Sequence, residues 1–349
     1  MRKLKIGYVP YSADLTHPGD RRRLVYWAKK RGHELVLNNE LRCDVVFKTV
    51  RADLSEGRNL SDESPYILDL VDGYLGHENY WRDWFRGAGK VVTGQISGPI
   101  KPFRKVIESA CANAAAVVCE TAEQAETIEP FCNNVHPILD FHEEFPFLPF
   151  KMDQLANSHT TLFWEGFPYT AKGLLLLCDF FASDRESENI SLEMVTDLRY
   201  PTILGKYYSK PTTTIVNEVI ATLGSRCEIT KWSLDSVIRA SNRANIAVLP
   251  LDPNGVLNPL KAENRLLIMW RLGMPTLTSP SSAYLRVMRD VGIDGVCLNS
   301  QDWTMKLYNL IESPRLQRNM VEAGQQYVRD THSEELVLQA WDNLFESVL

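Results

Sequence analysis

Lys261-Ala-Glu-Asn-Arg-Leu-Leu-Ile-Met-Trp-Arg-Leu-Gly-Met-Pro-Thr276 is the stretch on which the fold turns. Residues 264–272 read as a helix, and residues 275–278, beyond the Gly-Met-Pro turn, read as a short strand. The same alternation continues backwards from it. Strand-like runs lie at 161–164, 191–196, 227–230 and 246–250, with helices at 172–181, 213–223 and 234–243 between them. Four helices follow, at 283–291, 302–312, 314–330 and 333–349.

The first half repeats the pattern. Strands are expected at 4–9, 34–37, 44–47, 66–71, 90–93, 116–119 and near 135–139. Helices are expected at about 19–30, 80–85 and 103–115, with another started by Thr121. Strands alternating with helices of this length imply parallel sheets covered by crossover helices. The pattern stops around 145–157, where Pro146 and Pro149 read as an interdomain connection. A chain of 349 residues also exceeds the size at which one core usually keeps growing. Two α/β domains are therefore expected, 1–150 and 158–333, with a ligand cleft at the carboxyl ends of their strands.

The bulk properties exclude several classes. A formal charge of −6 lacks the basic surplus of a nucleic-acid binder. No run approaches the roughly 18 uninterrupted apolar residues that cross a bilayer. The seven cysteines, Cys43, Cys111, Cys119, Cys132, Cys178, Cys227 and Cys297, form no Cys-x-x-Cys pair, and read as buried thiols of a reducing, cytoplasmic compartment.

The 261–276 segment resembles the donor-site helix and following strand of GT-B glycosyltransferases, specifically the family-four-like, group 1 kind of donor domain. Downstream landmarks agree: Tyr284, Gly292, Gly295, Trp303, Met320 and a final helix from Ser333 to Trp341. Pro18-Gly19-Asp20 through Arg31-Gly32-His33 is similar to the group's first loop and helix. The 134–140 run and Gly166 followed by Lys172-Gly173 resemble later landmarks in order. The resemblance implies two Rossmann-like domains with parallel sheets facing a central cleft, and a C-terminal helix (334–349) crossing back to the first domain. It implies a hexosyltransferase-like enzyme of polysaccharide or glycoconjugate assembly. Such an enzyme moves sugar from a nucleotide-diphosphate sugar to a hydroxyl acceptor (a glycan, a lipid-linked or a small molecule). Two departures stand out. Where many retaining members carry two glutamates eight residues apart, this chain has Leu260 and Ile268, and an Arg common after the second-domain glycine is Phe167.

On that reading the donor's diphosphate needs cations and a helix N-terminus, which carries an effective charge of roughly +0.5. Lys261 and Arg265, one helical turn apart, are placed to face the same phosphates, with Lys172 opening a second helix. Asn264 caps the helix or touches phosphate, Glu263 reaches for the ribose or serves the helix dipole, and Trp232 stacks on the base or lies in the core. Gly19 belongs to the Gly-rich turn, and Asp197, Tyr207 and Tyr208 are assigned to the sugar pocket. An inverting transfer needs a base; Asp72 is the first candidate, His77 the second, and Asp69 lies within the strand-like run. Asp72-Gly73 is also a good turn pair.

Neither a cofactor nor a metal is expected. The chain lacks an Asp-x-Asp motif, and His136 and His142 around Asp140 read as strand and linker. Arg21, Arg22, Arg23, Lys29, Lys30 and Arg31 make the first helix basic, a surface for peripheral contact with anionic lipid or simply a solvated face. Two other functions fit the same fold, a sugar-nucleotide epimerase and a non-catalytic nucleotide-binding protein.

Overall fold

The computed structural model describes residues 2–38, 43–55, 64–77, 79–151, 159–183, 189–201 and 209–349. Tyr207, Tyr208 and the end of the expected connection fall outside them. The chain forms two compact units. One comprises Met1–His142, Pro259–Ala262 and Ser333–Leu349, and the other Glu143–Asn258 and Glu263–His332.

The first unit is built on six parallel strands: β1 (Lys5–Val9), β2 (Glu34–Leu37), β3 (Val45–Thr49), β4 (Tyr66–Leu70), β5 (Ala116–Cys119) and β6 (Val135–Pro137), in the order β2-β1-β3-β4-β5-β6. Strands covered on both faces read as continuous apolar runs, and β3 and β5 are buried at every position. One face packs Leu4, Ile6 and Trp27 against Trp341, Leu344 and Phe345 of the final helix (Glu334–Glu346). Trp27 and Phe345 stack with centroids 4.2 Å apart. The other face closes on Phe103, Ile107 and Cys111.

Two expectations need correction here. The helix at 19–30 is two pieces, α1 (Pro18–Arg21) and α2 (Leu24–Arg31), because Arg23 adopts a non-helical backbone (φ −129°, ψ −121°) and turns its side chain into the interior. The strand expected at 90–93 does not form. Its Lys-Val-Val run, which looks strand-like by its β-branched residues, is the last turn of a longer helix, α3 (Tyr80–Val92), whose Asn79 cap accepts a hydrogen bond from the Arg82 N–H. Helices α4 (Phe103–Asn113) and α5 (Ala122–Ile128) follow, the latter capped by Thr121.

The second unit has five parallel strands, β7 (Thr160–Glu165), β8 (Ile190–Thr196), β11 (Cys227–Lys231), β12 (Ile246–Leu249) and β13 (Thr276–Thr278), in the order β11-β8-β7-β12-β13. An unforeseen antiparallel pair, β9 (Arg199–Pro201) and β10 (Ser209–Pro211), stands beside it. Residues Pro168–Leu177 form a 3₁₀ helix before α6 (Cys178–Ser183), so Lys172 lies inside a tight helical run and does not open an α-helix. The remaining helices are α7 (Asn217–Leu223), α8 (Leu234–Arg243), α9 (Asn264–Arg271), α10 (Ser282–Asp290), α11 (Ser300–Glu312) and α12 (Pro314–Thr331).

Helix α9 ends at a constrained glycine. Gly273 has φ +69°, and a Cβ there would sit 2.6 Å from the carbonyl oxygens of Leu148 and Pro149. Gly273→Ala is expected to cost about 1–3 kcal/mol from the left-handed backbone, with the clash added. Urea unfolding checks this, and an unchanged midpoint would show that the 148–149 segment yields freely.

Candidate active site

In the second unit the strand order reverses between β7 and β12, and ligands of open parallel sheets bind at the carboxyl ends beside such a reversal. There β7 ends in Glu165, and Gly166 follows it. Arg265, in the first turn of α9, sends its Nη1 to donate to the Glu165 carbonyl at 2.9 Å. The approach depends on the glycine: a Cβ on Gly166 would lie 2.7 Å from that same Nη1. Arg265 Nη2 is buried and, among the described residues, has no hydrogen-bond partner. A guanidinium held through Nη1 with Nη2 unused is suited to an oxyanion.

Its surroundings are polar. The Glu165 carboxylate accepts from Trp232 Nε1 at 2.7 Å, so the Trp232 indole N–H is committed to the protein. Lys172 pairs with Asp252 at 3.1 Å just past β12. Burial works against the Asp252 carboxylate, but the Asn254 N–H and Lys172 hold its pKa below the ordinary value. Glu263 is buried and accepts from Arg286 at 2.9 Å. It occupies the cap position of α9, making Asn264 the first helical residue and not its cap. Asp197 is exposed just past β8, where its carbonyl accepts from the Thr212 hydroxyl.

Lys261 lies outside α9. The helix begins only at Asn264, and Lys261 belongs to the first unit, where its ammonium lies 3.0 Å from Asp72. The short segment around it is clasped there. Gln124 donates to the Leu260 carbonyl at 2.9 Å, and Leu260 sits so close to Gly73 and Gly76 that a Cβ on either would overlap it. The glycines that flank Tyr74-Leu75 are thus a seat for Leu260.

Of the other first-unit candidates, Asp69 and Gly19 are buried and His77 is half-buried. Asp69, on β4, is fully enclosed and takes Arg23 Nη2 at 2.8 Å and Nε at 3.3 Å. Arg23 Nη1 adds the Ile138 carbonyl at 2.8 Å and Asp140 at 3.4 Å. Burial pushes the Asp69 carboxyl up to about 6 against the pull of Arg23. The same burial disfavours the guanidinium cation, yet Asp69, Asp140 and Glu120 together hold Arg23 well above its ordinary value. Glu120, directly after β5, is driven well up by burial and then by Asp140. His77 has its side chain tucked against Asp83, Nδ1 to Oδ2 4.0 Å, and burial lowers its pKa. Gly19 is buried beneath the Tyr11 ring, and its N–H is taken by His17 Nδ1 at 3.0 Å, so that turn offers no free donor at Gly19.

The sequence matches no family model and no curated protein. Solved structures do match. Anabaena HepE, determined with UDP and glucose, aligns with a TM-score of 0.64 at 13% identity, covering 99% of this chain and 100% of that one. WaaG, a glycosyltransferase involved in lipopolysaccharide biosynthesis, gives 0.55 at 12%, over 96% of this chain and 85% of its own. TarM gives 0.60 at 11% over 86% of this chain, which spans about half of TarM's length (54%). The fold is GT-B.

Within this GT-B chain the two departures seen in the sequence have local explanations. Leu260 serves as the apolar plug on Gly73 and Gly76, and Ile268 is buried inside α9. Phe167 follows Gly166, and Arg265 delivers a guanidinium to Gly166 from α9. Sequence reasoning missed Glu165, Arg286 and Glu120, and it weighed Asp140 only beside His136 and His142, not as a partner of Arg23. Glu165, Glu120 and Asp140 carried a usable signal, an acid at or just past a strand's carboxyl end, and Arg286 carried none.

Proposed function

We propose that the chain is a glycosyltransferase that takes its sugar from a nucleotide-diphosphate donor held by the second unit, without a metal. The observation that carries this reading is Arg265. Its guanidinium is fixed at Gly166, at the strand-order reversal, with Nη2 buried and unused among the described residues. That nitrogen suits a phosphate oxygen, and the nearby N-terminus of α9 adds its dipole. Lys172, exposed beside Asp252, supplies a second cation at the same strand edge. Charge from arginine and lysine does the work that a divalent ion does in other sites, stabilising the departing diphosphate. A hydroxyl acceptor must also lose its proton, and Asp72 is the group assigned to receive it.

The HepE structure contains UDP, which makes UDP the first nucleotide to test here. In a thermal-shift panel of UDP, GDP, ADP and CMP, a binder at 100 times its dissociation constant adds about 2.7 kcal/mol. Arg265→Lys keeps the charge but loses the fork, and its nucleotide affinity is expected to fall about 10- to 100-fold. Silence from all four nucleotides would overturn the donor reading. Nucleotide release only when an acceptor is present separates transfer from epimerisation.

A further inference from the structure

Helix α3 is built inside out. Its inward side is polar: Asp83 and Gly87 are buried, and Gly87 lies so close to the Lys101 carbonyl that a Cβ would strike it. Arg86 lies 4.6 Å from the centre of the Phe103 ring and Lys90 4.5 Å from it, so two cations line the face that meets the protein. The outward side is apolar. Trp81 is 70% exposed, Phe85 66% and Val92 84%, with Tyr80 and Trp84 exposed beside them. At about 100° per residue these five positions fall within one face of roughly 140°. Tyr80 and Trp81 touch edge to face, as do Trp84 and Phe85, so these rings pack on each other in solvent. Ile100, in the loop that packs on Gly87 through Lys101, is also exposed. Folded proteins seldom present so many large rings to water without a partner that covers them.

Charge and composition specify the partner. Residues 80–108 contain Arg82, Arg86, Lys90, Lys101, Arg104 and Lys105 against the acids Asp83 and Glu108, of which Glu108 pairs with Arg104 and Lys105, in a chain whose net charge is −6. Arg82 and Lys101 are exposed at the edge of the apolar face. Tryptophan and tyrosine flanked by basic residues match the boundary between headgroups and acyl chains. No described helix is long and apolar enough to cross a membrane. The basic first helix, by contrast, is partly neutralised by the final helix: Lys30 pairs with Glu334, and Arg31 with Glu335 and Asp342.

We propose that α3 docks this protein onto anionic lipid bilayers. The helix lies in the plane of the interface, with Tyr80, Trp81, Trp84, Phe85 and Val92 in the acyl boundary and Arg82 and Lys101 among the lipid phosphates. The proposal goes beyond the donor reading and does not depend on it.

The test is flotation of the full chain with vesicles of phosphatidylcholine, alone or containing phosphatidylglycerol, at low and high salt. Wild type is expected to bind the anionic vesicles and to release them as salt rises. Trp81→Ser with Phe85→Ser is expected to weaken that binding about tenfold or more. Arg82→Glu with Lys101→Glu is expected to abolish the preference for anionic vesicles. All four side chains are exposed, so an unchanged melting temperature and nucleotide response identify folded variants. Failure of wild type to bind anionic vesicles, or unchanged binding by the folded Trp81/Phe85 variant, overturns the proposal. So does light scattering that shows a dimer lost on the same double substitution, since a second copy would then be the partner.

Discussion

Arg23→Met is expected to cost about 3–5 kcal/mol, the penalty of stripping the cation from buried carboxylates. Arg23 is fully buried and binds Asp69, Asp140 and the Ile138 carbonyl at once, so it joins the ends of β4 and β6 through one side chain. The loss carries a pH signature. Asp69 already has its folded pKa raised, to about 6, so the folded state holds that proton more tightly than the unfolded chain does. Its contribution is most favourable below the ordinary carboxylate range and is lost as pH rises through 6. Without Arg23 the carboxyl moves higher still, and the window of lost stability extends upward. Urea midpoints at about pH 5 and about pH 8 should therefore differ more from wild type at the higher pH. An equal penalty at both would trace the loss to packing over Trp341, whose ring lies 5.6 Å from the guanidinium.

Asp72→Asn is expected to lower sugar transfer by about 10²- to 10⁴-fold, the usual contribution of a positioned base. Nucleotide binding should survive, because Arg265 and Lys172 belong to the second unit. Of the three candidates, Asp69 has both oxygens on Arg23 and His77 is turned to Asp83. Asp72 keeps its side chain 26% exposed, with Lys261 on one oxygen. If Asp72 only anchors Lys261, then Lys261→Met should match Asp72→Asn in rate loss. If Asp72→Asn and His77→Ala both turn over at wild-type rates, neither is the base.

The strands were largely legible, because parallel strands covered on both faces are plain apolar runs such as Ala116–Cys119 and Ile246–Leu249. What failed was side-chain pairing decided at long range, although the return of the final helix to the first unit was foreseen. Arg23 reads as one more cation on a basic helix, since its acidic partners are 46 and 117 residues away. Lys261 and Arg265 look like neighbours on one helical face, yet the helix starts between them and each serves a different unit. The outward aromatic face of α3 was missed for a related reason. Spacing marks an apolar stripe, but only the packed structure says whether that stripe points in or out.

The division of the chain also bears on how this protein can be taken apart. The first unit is assembled from Met1–His142, the four residues Pro259–Ala262 and the last 17 residues, Ser333–Leu349. A fragment ending at His142 would leave Trp27 without Phe345 and Gly73 without Leu260. The unit is therefore not a transferable module of contiguous sequence. Any chimera that exchanges the first unit must carry the tail and the short middle segment along with the amino-terminal block.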